Sequence, residues 1–310
     1  MIQLFSEPTA LALGNFDGLH RGHALVLAAA KQTAEANGLV PGVLLFDEHP
    51  KQVLCGETPP LLMTGEEKQK RLEDAGFRVL TLSFRNTKDL LPEAFVKLLE
   101  TQFHAKAVCC GKNYRFGKHA AGTAETLQLL CGSRGIQVRI VDDACYRGAL
   151  ISSTRIRRAI EEGNPEEANA MLLFPFSYTL PVVAGDKRGR TLGFPTANQF
   201  FLPDMIRPRA GVYASKVVLN GVCYPAVTNI GVRPTIGTET FRSETCILGF
   251  SGNLYGQLLE VQPLHYLRPE QKFQNLAALK AAMENDAARA REVLKQDEQS
   301  NETAGQSGLL

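Results

Sequence analysis

Ten residues, Gly14-Asn15-Phe16-Asp17-Gly18-Leu19-His20-Arg21-Gly22-His23, constrain this chain more than any others. An apolar run over 9–13 leads into them. A helical pattern over 24–35 leaves them and ends on the helix stop Asn37-Gly38. A strand that turns on glycines into a helix aims backbone N–H groups and a helix N-terminus at an anion. His20 and His23, three apart, share a face at the first turn of that helix. Two imidazoles there can donate to phosphate oxygens and stabilise charge developing on a pentacoordinate phosphorus. The plain alternative is a solvent-facing histidine pair. The position directly after a strand and a glycine turn favours the chemical reading.

The rest of the first half continues the alternation of strand and helix. Strands are expected over 40–46, 79–84, 107–110 and 138–141, with helices over 66–75, 92–102 and 123–133. That order implies a Rossmann-like, doubly wound parallel sheet with right-handed crossovers and ligands at the carboxyl ends of its strands. Two short helices are expected over 155–162 and 165–172. Beyond Pro175 the pattern becomes β-rich, with strands expected over 178–184, 212–219, 222–230, 244–250 and 257–267. Short strands in succession argue for a small antiparallel barrel or sandwich. A helix over 276–294 closes the pattern, and the polar segment from Lys295 is expected to be disordered. The expected domains are 1–174 (α/β) and 175–296 (β-barrel plus helix), with a tail over 297–310.

A chain of 310 residues has room for two domains, and 44% hydrophobic residues suffice for two cores. Thirty-four basic residues against 32 acidic ones leave a charge of +2, which argues against a nucleic-acid or membrane-surface polyelectrolyte. The longest apolar runs, such as 24–30, are too short for a membrane span. The first eight residues carry no basic and apolar signal pattern. Seven scattered cysteines without a C-x-x-C spacing indicate neither a disulfide framework nor a zinc site. The expectation is a cytoplasmic enzyme with no nucleic-acid or membrane partner; the sequence does not set its oligomeric state.

No G-x-x-x-x-G-K-[ST] loop is present, so any nucleotide site is built another way. One candidate is Ile151-Ser152-Ser153-Thr154-Arg155-Ile156-Arg157-Arg158. Its hydroxyls stand at a helix N-terminus and Arg157 follows within one turn, a natural polyphosphate cradle. Taken alone, an N-cap followed by a solvated basic face is the better reading; H-x-G-H in the same domain turns the balance to function. A second cluster runs from Gly185 to Arg190 and on through Gly193-Phe194-Pro195-Thr196-Ala197-Asn198. Its small residues allow close approach to a phosphate, and Thr196 and Asn198 offer oxygens suited to Mg²⁺; the alternative is an ordinary turn. Glu244, an acid in an apolar strand, needs either a partner or work as a general base.

Together these pieces resemble the prokaryotic bifunctional riboflavin kinase/FMN adenylyltransferase family, also called FAD synthetase. The matching segments run in the family's order: 14–23, Phe46-Asp47-Glu48-His49-Pro50, 111–117, 151–157, 189–198, 229–235, 244–250 and 255–256, then 267–273 and Asp286 to Arg289. H-x-G-H alone indicates only a nucleotidyltransferase; joined to G-F-P-T-A-N it is far more specific.

The resemblance implies that the second half phosphorylates riboflavin to FMN with ATP and Mg²⁺. It implies that the first half adenylylates FMN to FAD with release of pyrophosphate. Carried over by position, His20 and His23 stabilise the transferred phosphoryl group, with Gly14, Phe16, Asp17 and Gly18 in the same nucleotide pocket. Ser152, Ser153, Thr154 and Arg157 hold ATP phosphates, and Asn113 positions substrates. In the kinase half, Gly193, Thr196 and Asn198 engage ATP–Mg²⁺ and Phe194 packs near the nucleotide and flavin. Glu244 orients or deprotonates the riboflavin hydroxyl. The chain departs from the common pattern at Glu48, usually proline, at Asn113, often aspartate, and at Cys246 and Gly249.

Three other readings compete. A kinase with a silent first domain is opposed by the intact H-x-G-H and I-S-S-T segments. A transferase for another phosphate acceptor is opposed by the downstream G-F-P-T-A-N barrel. A nucleic-acid surface built on 155–158, 187–190 and 207–209 is opposed by the near-neutral charge.

Overall fold

The structure, a computed structural model, describes residues 7–185, 193–219, 221–235 and 238–304. It divides into two compact units, 1–153 and 154–308. The first unit is built on five parallel strands in the order β3-β2-β1-β4-β7. They are β1 (Thr9–Leu13), β2 (Val40–Phe46), β3 (Arg78–Leu82), β4 (Ala105–Gly111) and β7 (Gln137–Val141). β1 is buried along its whole length, as a central strand covered on both faces must be. Helix α1 (Arg21–Asn37) packs on it through small residues, Ala24, Ala30 and Ala34 among them. It stops at Gly38, whose φ of 63° is the left-handed cap that glycine adopts without a Cβ penalty.

The remaining crossovers are α3 (Gly65–Asp74), α5 (Pro92–Phe103) and α6 (Ala124–Gly132), preceded in order by α2 (Pro50–Cys55), α4 (Phe84–Thr87) and the hairpin β5–β6 (Arg115–Phe116, Gly122–Thr123). A second small hairpin, β8–β9 (Cys145–Tyr146, Ala149–Leu150), follows β7. The main core of this unit joins Leu11, Leu13 and Leu44 of the sheet to Phe95, Leu99 and Leu127 of α5 and α6. The doubly wound parallel sheet is therefore as expected. The third strand ends two residues earlier than the apolar run suggested, because Ser83-Phe84 turns into α4.

The second unit contains α7 (Ser153–Glu161, whose first residue closes the first unit), α8 (Pro165–Met171) and six antiparallel strands. Their order is β10-β15-β12-β13-β14-β11. The ranges are β10 (Tyr178–Pro181), β11 (Ala197–Phe200), β12 (Gly211–Leu219), β13 (Val222–Thr235), β14 (Thr238–Ile247) and β15 (Leu258–Arg268). Val183 N–H donates to Asn198 O at 2.8 Å, linking the two edge strands and nearly closing the sheet into a barrel. Inside, Gln199 bridges the same seam by donating to Leu180 O and Leu259 O, both at 2.8 Å. Outside, α9 (Leu276–Ala304) lays Ala287, Ala290 and Leu294 against Val212, Cys246 and Leu267.

Several sequence expectations change here. The strand expected over 178–184 stops at Pro181, and the one expected over 222–230 runs on to Thr235. The strand expected over 244–250 runs instead from Thr238 to Ile247, and Leu248 N–H turns back to Pro225 O. The strand β11 lies inside the segment read as a ligand turn. The closing helix continues ten residues past Leu294, so the segment expected to be disordered from Lys295 is helical as far as Ala304. Ion pairs hold that extension: Asp297 meets His265, and Glu298 meets Lys216. Residues 305–310 lie outside the described residues.

Candidate functional sites

In the first unit the sheet order reverses between β1 and β4, so the turns that follow these strands emerge side by side at the carboxyl edge. One turn is 14–20; the other carries the exposed Asn113. The first is tightly wound, with Phe16 at φ 49°, Gly18 at 78° and Leu19 at 43°. A left-handed non-glycine residue costs about 1–3 kcal/mol. Here the cost is offset by side-chain burial, since Phe16 and Leu19 are both 0% exposed. The Phe16 ring lies over Gly14, where a Cβ would stand 3.2 Å from it, and tilts against His23 at 5.2 Å.

His20 is the N-cap of α1. Its Nδ1 accepts from His23 N–H at 3.2 Å, and His23 Nδ1 accepts from His20 N–H at 3.3 Å. This reciprocal capping box satisfies two N–H groups at the helix start. Because both Nδ1 atoms accept, each neutral ring carries its proton on Nε2. Burial lowers His20 to about 4. Burial, and then the charges of His20 and Lys68, hold His23 well below the ordinary histidine range. The pair is thus two neutral N–H donors rather than two cations.

Three further contacts assemble around this turn. Ser153 Oγ, at the end of the first unit, donates to Asp17 O of the glycine turn at 2.9 Å. The Asn15 amide lies 2.9 Å from His49 Nε2, and His49 caps α2. Lys68 Nζ lies 3.4 Å from Asn15 O. Thr154 and Arg157 follow Ser153 on α7 and belong to the second unit, and Ser152 immediately precedes it. His49 was present in the sequence only as part of a motif without a role, and Lys68 was not singled out. It sits in Glu66-Glu67-Lys68-Gln69-Lys70, which reads as a solvated helix face. Glu48, in the usual proline position, forms a two-bond pair with Arg85 at 2.6 and 2.9 Å.

In the second unit, strand register sets Glu244 of β14 directly between Asn198 of β11 and Asn229 of β13. Directly opposed residues share a sheet face. Here it is the outer face, because Gln199, Ser243 and Thr245 fill the interior between them and are 0% exposed. Arg242, two residues before Glu244, hydrogen-bonds its carboxylate, and Asn229 donates to Glu270 at 3.0 Å. These side chains, with Gly231 and Val232, line an open cavity. Glu244 thus has the partner that an acid on this strand requires; Arg242, Asn229 and Glu270 escaped the sequence reading because strand pairing alone brings them together.

Asn198 is 5% exposed, and its Nδ2 faces Thr196 O at 3.3 Å and Thr196 Oγ1 at 3.5 Å. The amide fills the space where a Cβ on Gly185 would sit, 2.4–2.6 Å from its atoms. Gly193 is exposed with φ 84°, and Phe194 packs against the apolar cluster under α9. Asp186 to Arg190, the rest of that motif, lie outside the described residues. Among the described residues no group of three or more His, Cys, Asp or Glu side chains is placed to hold a metal.

Residues 2–155 match the FAD synthetase family and residues 172–294 match the riboflavin kinase family. A relative from Listeria monocytogenes, named bifunctional riboflavin kinase/FMN adenylyltransferase, is 38% identical over 281 residues, 89% of each chain. Relatives of the same name from Bacillus subtilis and Escherichia coli K12 are each 34% identical; the first covers 91% of both chains, the second 92% of this chain and 93% of its own. A crystal structure described as a macrolide-efflux protein from Streptococcus pneumoniae superposes with a TM-score of 0.85 at 30% identity, covering 93% of this chain and 96% of that one. Among the described residues of the present chain, no helix is long and apolar enough to cross a membrane.

Proposed function

The chain belongs to the bifunctional riboflavin kinase/FMN adenylyltransferase family, and from that premise we propose which residues carry each of its two reactions. It is a transferase that phosphorylates riboflavin to FMN and adenylylates FMN to FAD, with ATP as donor in both steps. We assign adenylyl transfer to residues 1–174 and the kinase to 175–296. The reading sets the work in the cytoplasm, with small-molecule substrates and no nucleic-acid partner.

In adenylyl transfer an FMN phosphate oxygen attacks the α-phosphorus of ATP. The new P–O bond forms as the bond to pyrophosphate breaks. Our reading gives His20 and His23 the non-bridging oxygens of the transferred group, through their Nε2–H donors. Neutral donors fixed before reaction cost no reorganisation as charge builds. Gly14, Phe16, Asp17 and Gly18 form the turn beneath the nucleotide. Ser152, Ser153, Thr154 and Arg157 take ATP phosphates, and Asn113 positions substrate at the neighbouring strand end.

In the kinase, the 5′-hydroxyl of riboflavin attacks the γ-phosphorus and ADP leaves. Glu244 accepts a hydrogen bond from that hydroxyl and takes its proton as the new P–O bond forms. Arg242 limits the carboxylate to one orientation. Gly193, Thr196 and Asn198 engage the ATP phosphates and Phe194 borders the nucleotide and flavin. Mg²⁺ fits this cradle: Thr196 Oγ1 and Asn198 Oδ1 are hard oxygen donors, and Gly185 leaves the amide its space. When bound, Mg²⁺ offsets the negative charge of the ATP phosphates.

The observation that carries the adenylyl-transfer assignment is the reciprocally capped His20–His23 pair, both Nδ1 atoms accepting, at the reversal of strand order within the segment that matches FAD synthetase. The test is chromatography of products from riboflavin, ATP and Mg²⁺. FMN followed by FAD, with ADP and pyrophosphate, is expected. FMN alone would contradict the assignment of the first half.

A further inference from the structure

Phosphoryl and nucleotidyl transfer needs positive charge beside the phosphates. The neutral His20–His23 pair does not supply it, and Arg157, assigned above to the ATP phosphates, belongs to the other unit. Among the described residues, Lys68 stands beside the turn, its Nζ 3.4 Å from Asn15 O; its charge acts on His23 and is met by that of Asp17. It projects from the first turn of α3, whose N-cap Thr64 accepts from Glu67 N–H at 3.2 Å. The Glu67 carboxylate is turned away and engaged by Arg71 at 2.7 and 3.0 Å. Among the described residues no carboxylate lies within ion-pair distance of Lys68 Nζ. Its contact is the long one to Asn15 O, 3.4 Å, on the catalytic turn itself.

A half-buried ammonium has three donors and a desolvation cost that calls for a counter-charge. A side chain on a helix surface would ordinarily be solvated. This one is instead held against the turn that carries H-x-G-H, with most of its hydrogen-bonding capacity unspent. Burial lowers its pKa, and Asp17 opposes that shift. The other groups facing it are His23 on α1 and, through Asn15, His49 on α2.

We propose that Lys68 is a phosphate-binding residue of the adenylyl-transfer site, its ammonium supplying the positive charge that the neutral histidine pair lacks. The inference rests on the assignment of adenylyl transfer to this unit and adds a residue to it. Asn15 acts with it as a positioning residue: its carbonyl orients the ammonium while its amide is held by His49.

The test is calorimetric titration of the full chain with magnesium pyrophosphate, the leaving product, which reads binding whether or not FAD is made. K68M should weaken binding at least about tenfold, and K68R, which keeps the charge, should stay within about threefold of the parent. A second readout separates charge from structure. Affinity of the parent should fall as pH rises through the lowered Lys68 pKa, and K68R should abolish that fall because a guanidinium stays charged. The wild-type and K68R pH profiles also decide the matter if K68M does not fold. Binding by folded K68M within twofold of the parent, or identical pH dependence in the parent and K68R, would overturn the proposal. Parent protein that makes FMN but no FAD would instead contradict the adenylyl-transfer assignment, and the titrations would still decide whether Lys68 binds pyrophosphate.

Discussion

The ring of His20 lies nearly flat on that of His23, centroids 3.5 Å apart and planes 13° from parallel. Each ring accepts the other's backbone N–H, so neither can turn without undoing a cap at the start of α1. Two imidazolium rings at this separation would repel strongly. The stack therefore favours the neutral forms that burial already imposes. A single local arrangement fixes the helix start, the tautomers and the direction of two donors.

Gly22→Ala tests that arrangement without removing either histidine. Its Cβ would stand 3.0 Å from His20 Cε1 and 3.1 Å from Nδ1, so the ring must give way. Small displacements of positioned groups are costly in rate. FAD formation from FMN should fall about tenfold or more while FMN formation from riboflavin is unchanged, measured as separate initial rates.

Glu244→Gln removes the proton acceptor while keeping the shape. General-base contributions run to roughly 10²–10⁴-fold. Riboflavin phosphorylation should drop by about that range, and supplied FMN should still become FAD at the parent rate. Kinase turnover that survives intact would remove Glu244 from its role.

Gly185→Ala acts on the same reaction from the other side of the cradle. The new Cβ would meet the Asn198 amide at 2.4–2.6 Å. Displacing that amide should raise the KM for ATP–Mg²⁺ in the kinase reaction about tenfold, leaving FAD formation from FMN untouched. An unchanged KM would detach Asn198 from the nucleotide.

His265 governs how stability varies with pH. Its Nδ1 lies 2.9 Å from Glu166 Oε1 and its Nε2 2.8 Å from Asp297 Oδ2. Ionised carboxylates only accept, so both nitrogens donate and the ring is an imidazolium. The hydrogen bond to Glu166, then that to Asp297, raise it to about 9 against the opposing effect of burial. A folded-state pKa above the unfolded value of about 6.5 means that this contribution is complete below pH ~6.5 and is lost as pH rises through ~9. Discounted for solvent screening, it amounts to about 1 kcal/mol. Thermal midpoints of the parent should fall by roughly 2–4 °C across that window from this source, and His265→Gln should flatten the fall.

Much of the fold was legible because its signals are local. β1 and β2 were expected with the bounds observed, and Asn37-Gly38 marked the end of α1 within a residue. β11 was missed because Ala197-Asn198-Gln199-Phe200 carries two amides where a strand pattern calls for apolar residues. Gln199 belongs to the barrel seam only through carbonyls of Leu180 and Leu259, which are distant in sequence. The continuation of α9 depends likewise on partners far away, Lys216 and His265, that a polar segment does not advertise.

The candidate sites divide along the same line. His20, His23 and Ser153 stood in motifs whose geometry follows from a strand–turn–helix, and Ser153 does reach the turn. Asn198 and Glu244 were named separately, and only the pairing of β11 with β14 makes them neighbours. Lys68 had no sequence signal, because a lysine in a charged helix turn normally faces water. Its half-burial against Asn15 is a property of the packed chain.

The most direct test of two separate reaction sites is the product distribution of His23→Ala, supplied with riboflavin, ATP and Mg²⁺ and followed by chromatography. FMN and ADP should accumulate at the parent rate, with FAD and pyrophosphate reduced by about 10²–10³-fold or more. FAD formed at the parent rate, or FMN and FAD falling together in a variant that remains folded, would contradict the account.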